Sequence, residues 1–221
     1  NYESKEYDFN SKDADFVIGI IEKTFVHDKG EKLDGTPLRG SPFFLEPWQK
    51  FLIYDILGFF VKDTKIRKYK ESFIMIPRKN GKTRFAAALA WALALLERKS
   101  GSTVYIVGAA LRQARQSFDF IEYNLRKMGE AENFRIRNNN QEVSITGELG
   151  AGAIHIEALA ANPDAQDSLL CNLAIADELH AYKSPKQYTI IKEAMKAYSN
   201  KLMIGITTAG DNMNSFCYQK M

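Results

Sequence analysis

The chain has 221 residues, of which 45% are hydrophobic and 26% are charged, and this composition suits one substantial core in a single α/β domain. A net charge of +3 provides no bulk electrostatic argument for binding nucleic acid. Two cysteines are too few for a disulfide framework or a structural zinc site, which fits a reducing cytoplasm. The apolar stretch 85–96 is closed by Arg84 and Glu97, so we predict no membrane span.

The first part of the chain, residues 1–41, is predicted to be an extension packed on a core formed by residues 42–221. Within it, apolar residues at helical spacing predict an amphipathic helix over 13–25. Glycines and a proline predict a loop over 29–41. A second helix is predicted from about Trp48 to Phe60, with a proline near its first turn.

The rest of the chain alternates apolar runs with helix-forming segments, which predicts a mostly parallel sheet flanked by helices. The predicted strands are 73–76, 103–107, 153–156, 173–176 and 202–206, and the predicted helices are 83–98, 111–128 and 185–198. Residues 142–146 are predicted to pair antiparallel with 154–157. Ligands of such sheets bind beyond the carboxyl ends of the strands.

One of these strand ends carries the ending of a phosphate-binding loop, Gly81-Lys82-Thr83, between the strand 73–76 and an alanine-rich helix. In the common pattern G-x-x-x-x-G-K-[ST], backbone N–H groups surround the phosphates, lysine reaches the β/γ oxygens and the hydroxyl ligates magnesium. Here the opening position is Ile76 rather than glycine. The bland alternative is a solvated basic turn.

Basic residues are concentrated around this loop: residues 62–84 hold nine basic and two acidic side chains. Part of this charge would face a nucleoside triphosphate. The rest either contacts nucleic-acid phosphates or forms a solvated loop, and for residues 62–70 we favour the solvated loop.

A second strand end, 173–176, runs directly into Asp177-Glu178. A buried strand that ends in two carboxylates is typical of the second half of such a site: the first holds magnesium and the second takes a proton from an attacking water. Alone, the pair is more often a solvated strand end. Downstream of a phosphate loop, it predicts an ATPase site.

A third strand, 202–206, delivers Thr207 and Thr208 to the same edge of the sheet. Two hydroxyls at this place could sense a γ-phosphate by hydrogen bonding to it or to the lytic water. Threonine pairs are also ordinary at strand ends, and the residues alone do not decide between these interpretations.

Taken together, four segments resemble the ATPase domain of the terminase large subunits of HK97-like tailed phages. The segments are Phe44-Leu45-Glu46-Pro47-Trp48-Gln49, Ile76-Pro77-Arg78-Lys79-Asn80-Gly81-Lys82-Thr83, Ala176-Asp177-Glu178-Leu179-His180 and Thr207-Thr208-Ala209-Gly210. They come in the family's order and include a phosphate loop without its first glycine. The resemblance implies a P-loop NTPase fold of the RecA/ASCE type with an N-terminal helical extension, and ATP and Mg²⁺ as cofactors.

The resemblance also implies a role for each matched residue. Trp48 and Gln49 would belong to an adenine-recognition segment, although core packing is an equal interpretation of Trp48. Pro77, Arg78, Lys79, Asn80, Gly81, Lys82 and Thr83 would surround the phosphates, with Lys82 on the β/γ oxygens and Thr83 and Asp177 at the metal. Glu178 would deprotonate the lytic water, and Thr207 and Thr208 would couple hydrolysis to movement.

Two further side chains of the matched segments have less defined roles. Arg78 would either stabilise charge that develops on the γ-phosphoryl group or only balance ground-state charge. His180 would be structural, holding the acidic turn or reaching a neighbouring loop, rather than acting as the base. Arg112 and Arg115 are candidates for an arginine that completes the site of a neighbouring subunit.

At the level of the whole protein, the resemblance implies a motor that moves double-stranded DNA into a preformed capsid in the host cytoplasm. Its implied partners are the terminase small subunit and the portal protein, and the motor would be a homo-oligomeric ring on the portal but a monomer in isolation. The family's C-terminal nuclease domain has no counterpart after Gly210, so we expect a fragment that hydrolyses ATP without cutting DNA.

Two alternatives to a packaging motor stay open. A superfamily 2-type helicase, or another nucleic-acid-dependent ATPase, would share these motifs but would need a second RecA-like domain. A non-enzymatic scaffold would bind ATP without turning it over, which the intact Lys82, Thr83, Asp177 and Glu178 argue against.

Overall fold

The computed structural model describes residues 6–140, 142–150, 152–160, 169–210 and 214–219. In chain order, the strands are β1 (Tyr7–Phe9), β2 (Phe59–Val61), β3 (Glu71–Met75), β4 (Ser102–Gly108), β5 (Phe134–Asn138), β6 (Val143–Glu148), β7 (Ala153–Ala160), β8 (Leu173–Asp177) and β9 (Leu202–Thr207). The helices are α1 (Lys12–Thr24), α2 (Pro47–Gly58), α3 (Lys82–Glu97), α4 (Leu111–Met128), α5 (Lys186–Ala194) and α6 (Phe216–Gln219).

Seven of the strands form one sheet in the order β3-β9-β8-β4-β7-β6-β5. The first five strands of this order are parallel, and β6 and β5 extend the sheet antiparallel. All five predicted strands are present, and the predicted antiparallel pair is confirmed with Thr146 opposite His155. The edge strand β5 and the small β1–β2 sheet were not predicted.

The sheet is buried on both faces, as a parallel sheet requires. Successive residues of β4 point to opposite sides: Val104 and Ile106 lie in the larger core, which includes residues of α1 to α4. Tyr105 and Val107 lie in a smaller core with residues of α5 and α6.

Helix α3, which follows the phosphate loop, is buried from residue 85 to residue 95. It packs against α1 and α4 and against β8 and β4 of the sheet. Its alanine-rich sequence permits this close packing on every side and also favours the helix intrinsically. The helix is therefore held rigidly at the centre of the larger core.

The N-terminal helix α1 buries Ala14, Val17 and Ile21 in the same core, and the predicted helix over 13–25 is confirmed. Two other helices end earlier than predicted. Helix α2 stops at Gly58, where a Cβ atom would collide with the Phe9 ring, and the chain continues as β2. Helix α5 ends at Ala194. In the described part of the chain, no helix has both the length and the apolar character to cross a bilayer.

Arg67 corrects the prediction that residues 62–70 form a solvated loop. Lys62 and Lys65 are exposed, but Arg67 is 1% exposed. Its Nη1 donates to Glu97 Oε1 at 2.5 Å and its Nη2 donates to the carbonyl oxygen of Asn200. This residue therefore ties the segment before β3 to the end of α3 and to the turn before β9.

Breaking this buried ion pair should weaken the fold. We expect Arg67→Ala to lower the free energy of unfolding by about 3 kcal/mol or more, because it leaves the Glu97 carboxylate without its partner. Lys65→Ala, at an exposed neighbouring position, is the matched control and should change stability by less than about 0.5 kcal/mol. Urea denaturation of both variants measures the difference, and equal stability of the two would contradict the proposed role of the pair.

Candidate active site

The site lies where three adjacent strands end. Strand β9 pairs in parallel with β3 on one side and with β8 on the other, so their carboxyl ends meet at one edge of the sheet. The phosphate loop follows β3, Asp177 ends β8 and Thr207 ends β9. The backbone N–H of Ile76 donates to the carbonyl oxygen of Thr207 at 2.9 Å, which attaches the loop to the neighbouring strand end.

The phosphate loop turns into α3 through two left-handed residues, Lys79 at φ +69° and Gly81 at φ +70°. Asn80 Nδ2 donates to the carbonyl oxygens of Pro77 and Arg78, at 3.2 and 3.3 Å. Phe85 N–H donates to the carbonyl oxygen of Gly81 at 3.0 Å, which begins the helix. The first N–H groups of α3 are thus available to an anion in front of the loop.

The side chains of the loop divide into exposed and enclosed ones. Arg78 and Lys79 are exposed, and within the described residues the Arg78 guanidinium forms no ion pair and donates no hydrogen bond. Lys82 and Thr83 are partly buried. The Lys82 side chain is 11% exposed, and its Nζ lies 2.7 Å from Oε1 of Glu178. The predicted phosphate-binding lysine and the predicted base therefore point at the same place.

Glu178 reaches this position through a left-handed backbone, with φ +55° and ψ +47°, directly after the buried strand β8. Such a conformation is uncommon for a residue with a Cβ atom and is frequent at functional sites. It turns the Glu178 side chain out of the strand, while Asp177 stays 2% exposed.

Asp177 carries a charge that the fold disfavours. Burial raises the pKa of Asp177 to about 6, and the neighbouring Glu178 carboxylate adds to the rise, whereas Lys82 and the Glu178 backbone N–H lower it. Its Oδ1 accepts that N–H at 2.9 Å. The second carboxylate oxygen accepts no hydrogen bond from the described residues, which suits a buried carboxylate that meets a cation.

The residues present fit a magnesium ion that is held largely by its nucleotide. Among the described residues no group of three or more His, Cys, Asp or Glu side chains could hold a metal, so a cage made of protein alone is not formed. Mg²⁺ in phosphate-transfer sites takes one or two protein oxygens together with phosphate oxygens and waters. Asp177 and the Thr83 hydroxyl offer such a pair.

The two threonines, for which the sequence left phosphate sensing and ordinary strand-end composition open, are both buried. Thr207 is fully buried and Thr208 is 3% exposed. Thr207 Oγ1 donates to the carbonyl oxygen of Thr208 at 3.0 Å and lies 3.1 Å from both the backbone N and the ring Nδ1 of His180. Both hydroxyls therefore contact His180 in this structure.

Beside the phosphate loop lies an apolar cavity of about 480 Å³ between α2 and β3. Its lining residues include Trp48, Phe51, Leu52, Pro77 and Asn80. Phe51 was not among the predicted site residues, although its spacing of three residues from Trp48 places both on one face of α2. The cavity has the size and apolar character of a nucleobase site.

Gln49 does not line this cavity. It is 4% exposed, and its Oε1 accepts the backbone N–H of Glu46 at 2.9 Å, while the Glu46 side chain accepts the N–H of Gln49. This capping box begins α2. The adenine recognition that the resemblance implies for Gln49 thus meets an amide oxygen that is already occupied.

The two arginines suggested for a neighbouring subunit's site lie on the first turns of α4. Arg112 is exposed, and Arg115 Nη2 donates to the carbonyl oxygen of Asn139 at 2.5 Å.

A family model described as terminase large subunit, ATPase domain, matches residues 47–221. The crystal structure of the HK97 bacteriophage large terminase is 22% identical over 93% of this chain and 40% of that chain, with a TM-score of 0.70. The large terminase of the thermophilic bacteriophage D6E in complex with ADP is 9% identical over 66% of this chain and 35% of that one, with a TM-score of 0.50.

A third solved structure, the UvsW helicase from bacteriophage T4, is 14% identical over 90% of this chain and 60% of that chain, with a TM-score of 0.50. These structural likenesses show a shared fold. The chain spans 40% of the length of the HK97 protein, and no curated protein matches it significantly.

The raised pKa of Asp177 predicts a pH-dependent stability. Because the pKa in the folded protein lies above the ordinary value of 3.8, the ionised carboxyl destabilises the fold above about pH 6, and this effect disappears as the pH falls toward 4. In metal-free buffer at pH 7.5, Asp177→Asn should therefore raise the free energy of unfolding by on the order of 2 kcal/mol.

The gain from Asp177→Asn should shrink as the pH is lowered from 7.5 to 5, as measured by urea denaturation at each pH. Asp55→Asn, at an exposed position of α2, is the control and should show no such trend. A variant at position 177 that is less stable than the parent at pH 7.5 would contradict the assigned burial cost.

Proposed function

Because this chain belongs to the family of terminase large subunit ATPase domains, we propose that it hydrolyses ATP at the ends of β3, β9 and β8 and that hydrolysis drives double-stranded DNA into a capsid. The observation that carries the proposal is the convergence of Lys82 Nζ and Glu178 Oε1, 2.7 Å apart, in front of the N-terminus of α3. The buried carboxyl of Asp177 lies directly beside them.

The phosphates of ATP are bound by the loop between residues 77 and 83. The free N–H groups at the start of α3 and of the loop backbone donate hydrogen bonds to the β- and γ-phosphate oxygens, and Lys82 supplies a positive charge to them. Arg78 is exposed and unpaired within the described residues, so its guanidinium is available to the γ-phosphoryl group. The loop thereby holds the group that is transferred.

Asp177 and Thr83, together with the nucleotide, would hold magnesium. The ion would supply positive charge against the phosphate oxygens. The raised pKa of Asp177 has a functional meaning in this arrangement: a carboxylate that is costly to ionise alone is stabilised by a cation beside it.

The lytic water is activated by Glu178. Its partly exposed carboxylate stands at the end of β8, in reach of the space before Lys82, and it can orient a water and take its proton. In the present arrangement Lys82 holds Oε1 of this carboxylate. Phosphates compete for Lys82, so nucleotide binding frees the Glu178 carboxylate to orient the water and take its proton.

The base of the nucleotide occupies the apolar cavity beside the loop. Trp48 and Phe51 on α2 and Pro77 in the loop provide flat apolar surfaces for it, and Gln49 positions the start of α2 through the capping box. The ADP complex of the D6E large terminase supports nucleotide binding by this fold.

In the whole protein, the domain would work on double-stranded DNA together with a terminase small subunit and a portal protein, as a ring of identical subunits in the host cytoplasm. Family membership supports DNA and a phage packaging machinery as the setting. The helicase alternative is not favoured, because the likeness to UvsW concerns the fold alone, whereas the family model covers 47–221.

Replacing the proposed base tests the enzymatic part of this function. We expect Glu178→Gln to lower kcat for ATP by about 100-fold or more, because the amide cannot accept the proton of the water. Its affinity for a non-hydrolysable ATP analogue, measured by calorimetry, should stay within about threefold of the parent value. Hydrolysis at the parent rate would show that another group is the base.

Replacing Phe51 tests the base cavity. Phe51 is 68% exposed and Phe44, outside the cavity, is 66% exposed, so the two alanine variants form a matched pair with little cost in stability. Phe51→Ala should weaken binding of the ATP analogue by at least about fivefold, because base stacking contributes about 1 kcal/mol or more.

Phe44→Ala should bind the analogue like the parent, and Phe51→Ala should bind inorganic tripolyphosphate like the parent. Equal weakening of tripolyphosphate binding would place the effect of Phe51 on the phosphate loop rather than on the base.

A further inference from the structure

We infer that His180 is a positioning residue that shares one N–H between the catalytic carboxylate of Glu178 and the hydroxyl of Thr207 at the end of β9. The inference rests on the proposed function, since it concerns the orientation of the proposed base. It adds a link between the hydrolytic site and the neighbouring strand end.

The tautomer of His180 follows from the hydrogen bonds around Thr207. The Thr207 hydroxyl has one hydrogen, which it donates to the carbonyl oxygen of Thr208 at 3.0 Å. Its oxygen then accepts the His180 backbone N–H at 3.1 Å and a weak S–H donor, Cys217 Sγ, at 3.8 Å. The ring Nδ1 of His180 also lies 3.1 Å from this oxygen, and with the hydroxyl hydrogen directed to Thr208 the contact is a hydrogen bond only when Nδ1 donates. This assigns the ring hydrogen to Nδ1.

The same Nδ1–H faces a second acceptor. Oε2 of Glu178 lies 3.1 Å from Nδ1, but it is buried and, within the described part of the chain, has no hydrogen-bond partner. Thr208 Oγ1 is farther away, at 3.4 Å. One hydrogen thus stands between Thr207 and Glu178, and in this arrangement it points to Thr207.

The two carboxylate oxygens of Glu178 therefore lie in different environments. Oε1 is held by Lys82 at 2.7 Å, and Oε2 accepts no hydrogen bond from the described residues. When phosphates take Lys82, the carboxylate loses this partner, and its buried Oε2 atom is costly to leave without a donor. A small rotation of the imidazole supplies Nδ1–H to Oε2 and fixes the carboxylate for proton transfer.

That rotation has a consequence at β9. When the ring N–H donates to Glu178, it no longer donates to Thr207. The Thr207 oxygen then keeps the hydrogen bond from the His180 backbone N–H and loses the one from the ring. The end of β9 is thus bound more tightly in one arrangement than in the other. Two arrangements with different partners are what a coupling element needs.

The position of the imidazole is set by close packing on β9 and the segment after it. A Cβ atom on Gly210 would lie 3.2 Å from Cβ of His180, and one on Gly205 would lie 2.5 Å from Cδ1 of the fully buried Leu179. The glycines therefore leave the room that Leu179 and His180 fill. This packing holds the backbone of the turn and the Cβ atom of His180 in place, so the inferred change is a rotation of the ring about its side-chain bonds.

Steady-state ATP hydrolysis by three variants at position 180 tests the inference. We expect His180→Ala to lower kcat by roughly 30-fold, with the KM for ATP within about twofold of the parent value, because only the orientation of the base is lost. The amide nitrogen of His180→Asn lies near the place of Nδ1, so this variant should keep kcat within about fivefold of the parent. The longer side chain of His180→Gln places its amide near Nε2 and should not restore kcat.

The link to Thr207 is tested by Thr207→Val alone and combined with His180→Ala. Residues that act through one hydrogen bond give non-additive effects, so Thr207→Val should change kcat in the parent and change it little in the His180→Ala background. Additive effects on kcat would overturn the link.

The controls separate this inference from the proposed function. If Glu178→Gln abolishes turnover while His180→Ala keeps the parent kcat, the positioning role is wrong and the proposed function stands. If the parent does not hydrolyse ATP, the proposed function itself fails. If His180→Ala does not fold, the Asn and Gln variants at position 180 provide the test. Equal kcat and equal melting temperatures for these two variants would show that His180 has only a structural role.

Discussion

The parallel pairing of β9 with both β3 and β8 is the constraint on which the site depends. It places Asp177 opposite Ile206 and Met75 opposite Thr207, so three chain segments that are far apart in sequence end side by side. The hydrogen bond from Ile76 N–H to the Thr207 carbonyl oxygen continues this pairing by one residue beyond β3. Every proposed contact among the loop, the acidic turn and the threonines follows from this alignment.

The fold tolerates an unfavourable charge distribution at this edge because the elements behind it are rigid. Helix α3 is enclosed on all sides, so Lys82 and Thr83 at its start cannot retreat from the two carboxyls. Asp177 is buried against its electrostatic preference, and Glu178 keeps a left-handed backbone. These features cost stability in the protein alone, and the magnesium nucleotide of the proposed function would offer the compensating charges.

Local sequence patterns predicted most of the helices and strands, because a buried strand and an amphipathic helix each require a characteristic spacing of apolar residues. Nonlocal arrangement was less accessible. Arg67 lies in a basic stretch whose sequence predicts a solvated loop. It is buried only because Glu97 and Asn200, both distant in sequence, lie next to it in the fold. Gln49 serves the cap of its own helix, a local alternative that competes with ligand binding. The contacts of Thr207 with His180 depend on the position of β9 between β3 and β8, although β9 is the last of the described strands in sequence.

Ile76 shows why the first glycine of the usual loop pattern is dispensable here. Outside glycine, positive φ angles among the described residues occur at Asp63, Lys79 and Glu178, so position 76 needs none of glycine's freedom. The Ile76 side chain is instead buried in the larger core while its N–H pairs with Thr207. A loop anchored in this way cannot shift at its entrance without disturbing the end of β9. In the proposed motor, a displacement at the phosphates would therefore act on the strand that carries Thr207, whose hydroxyl oxygen lies 3.1 Å from Nδ1 of His180.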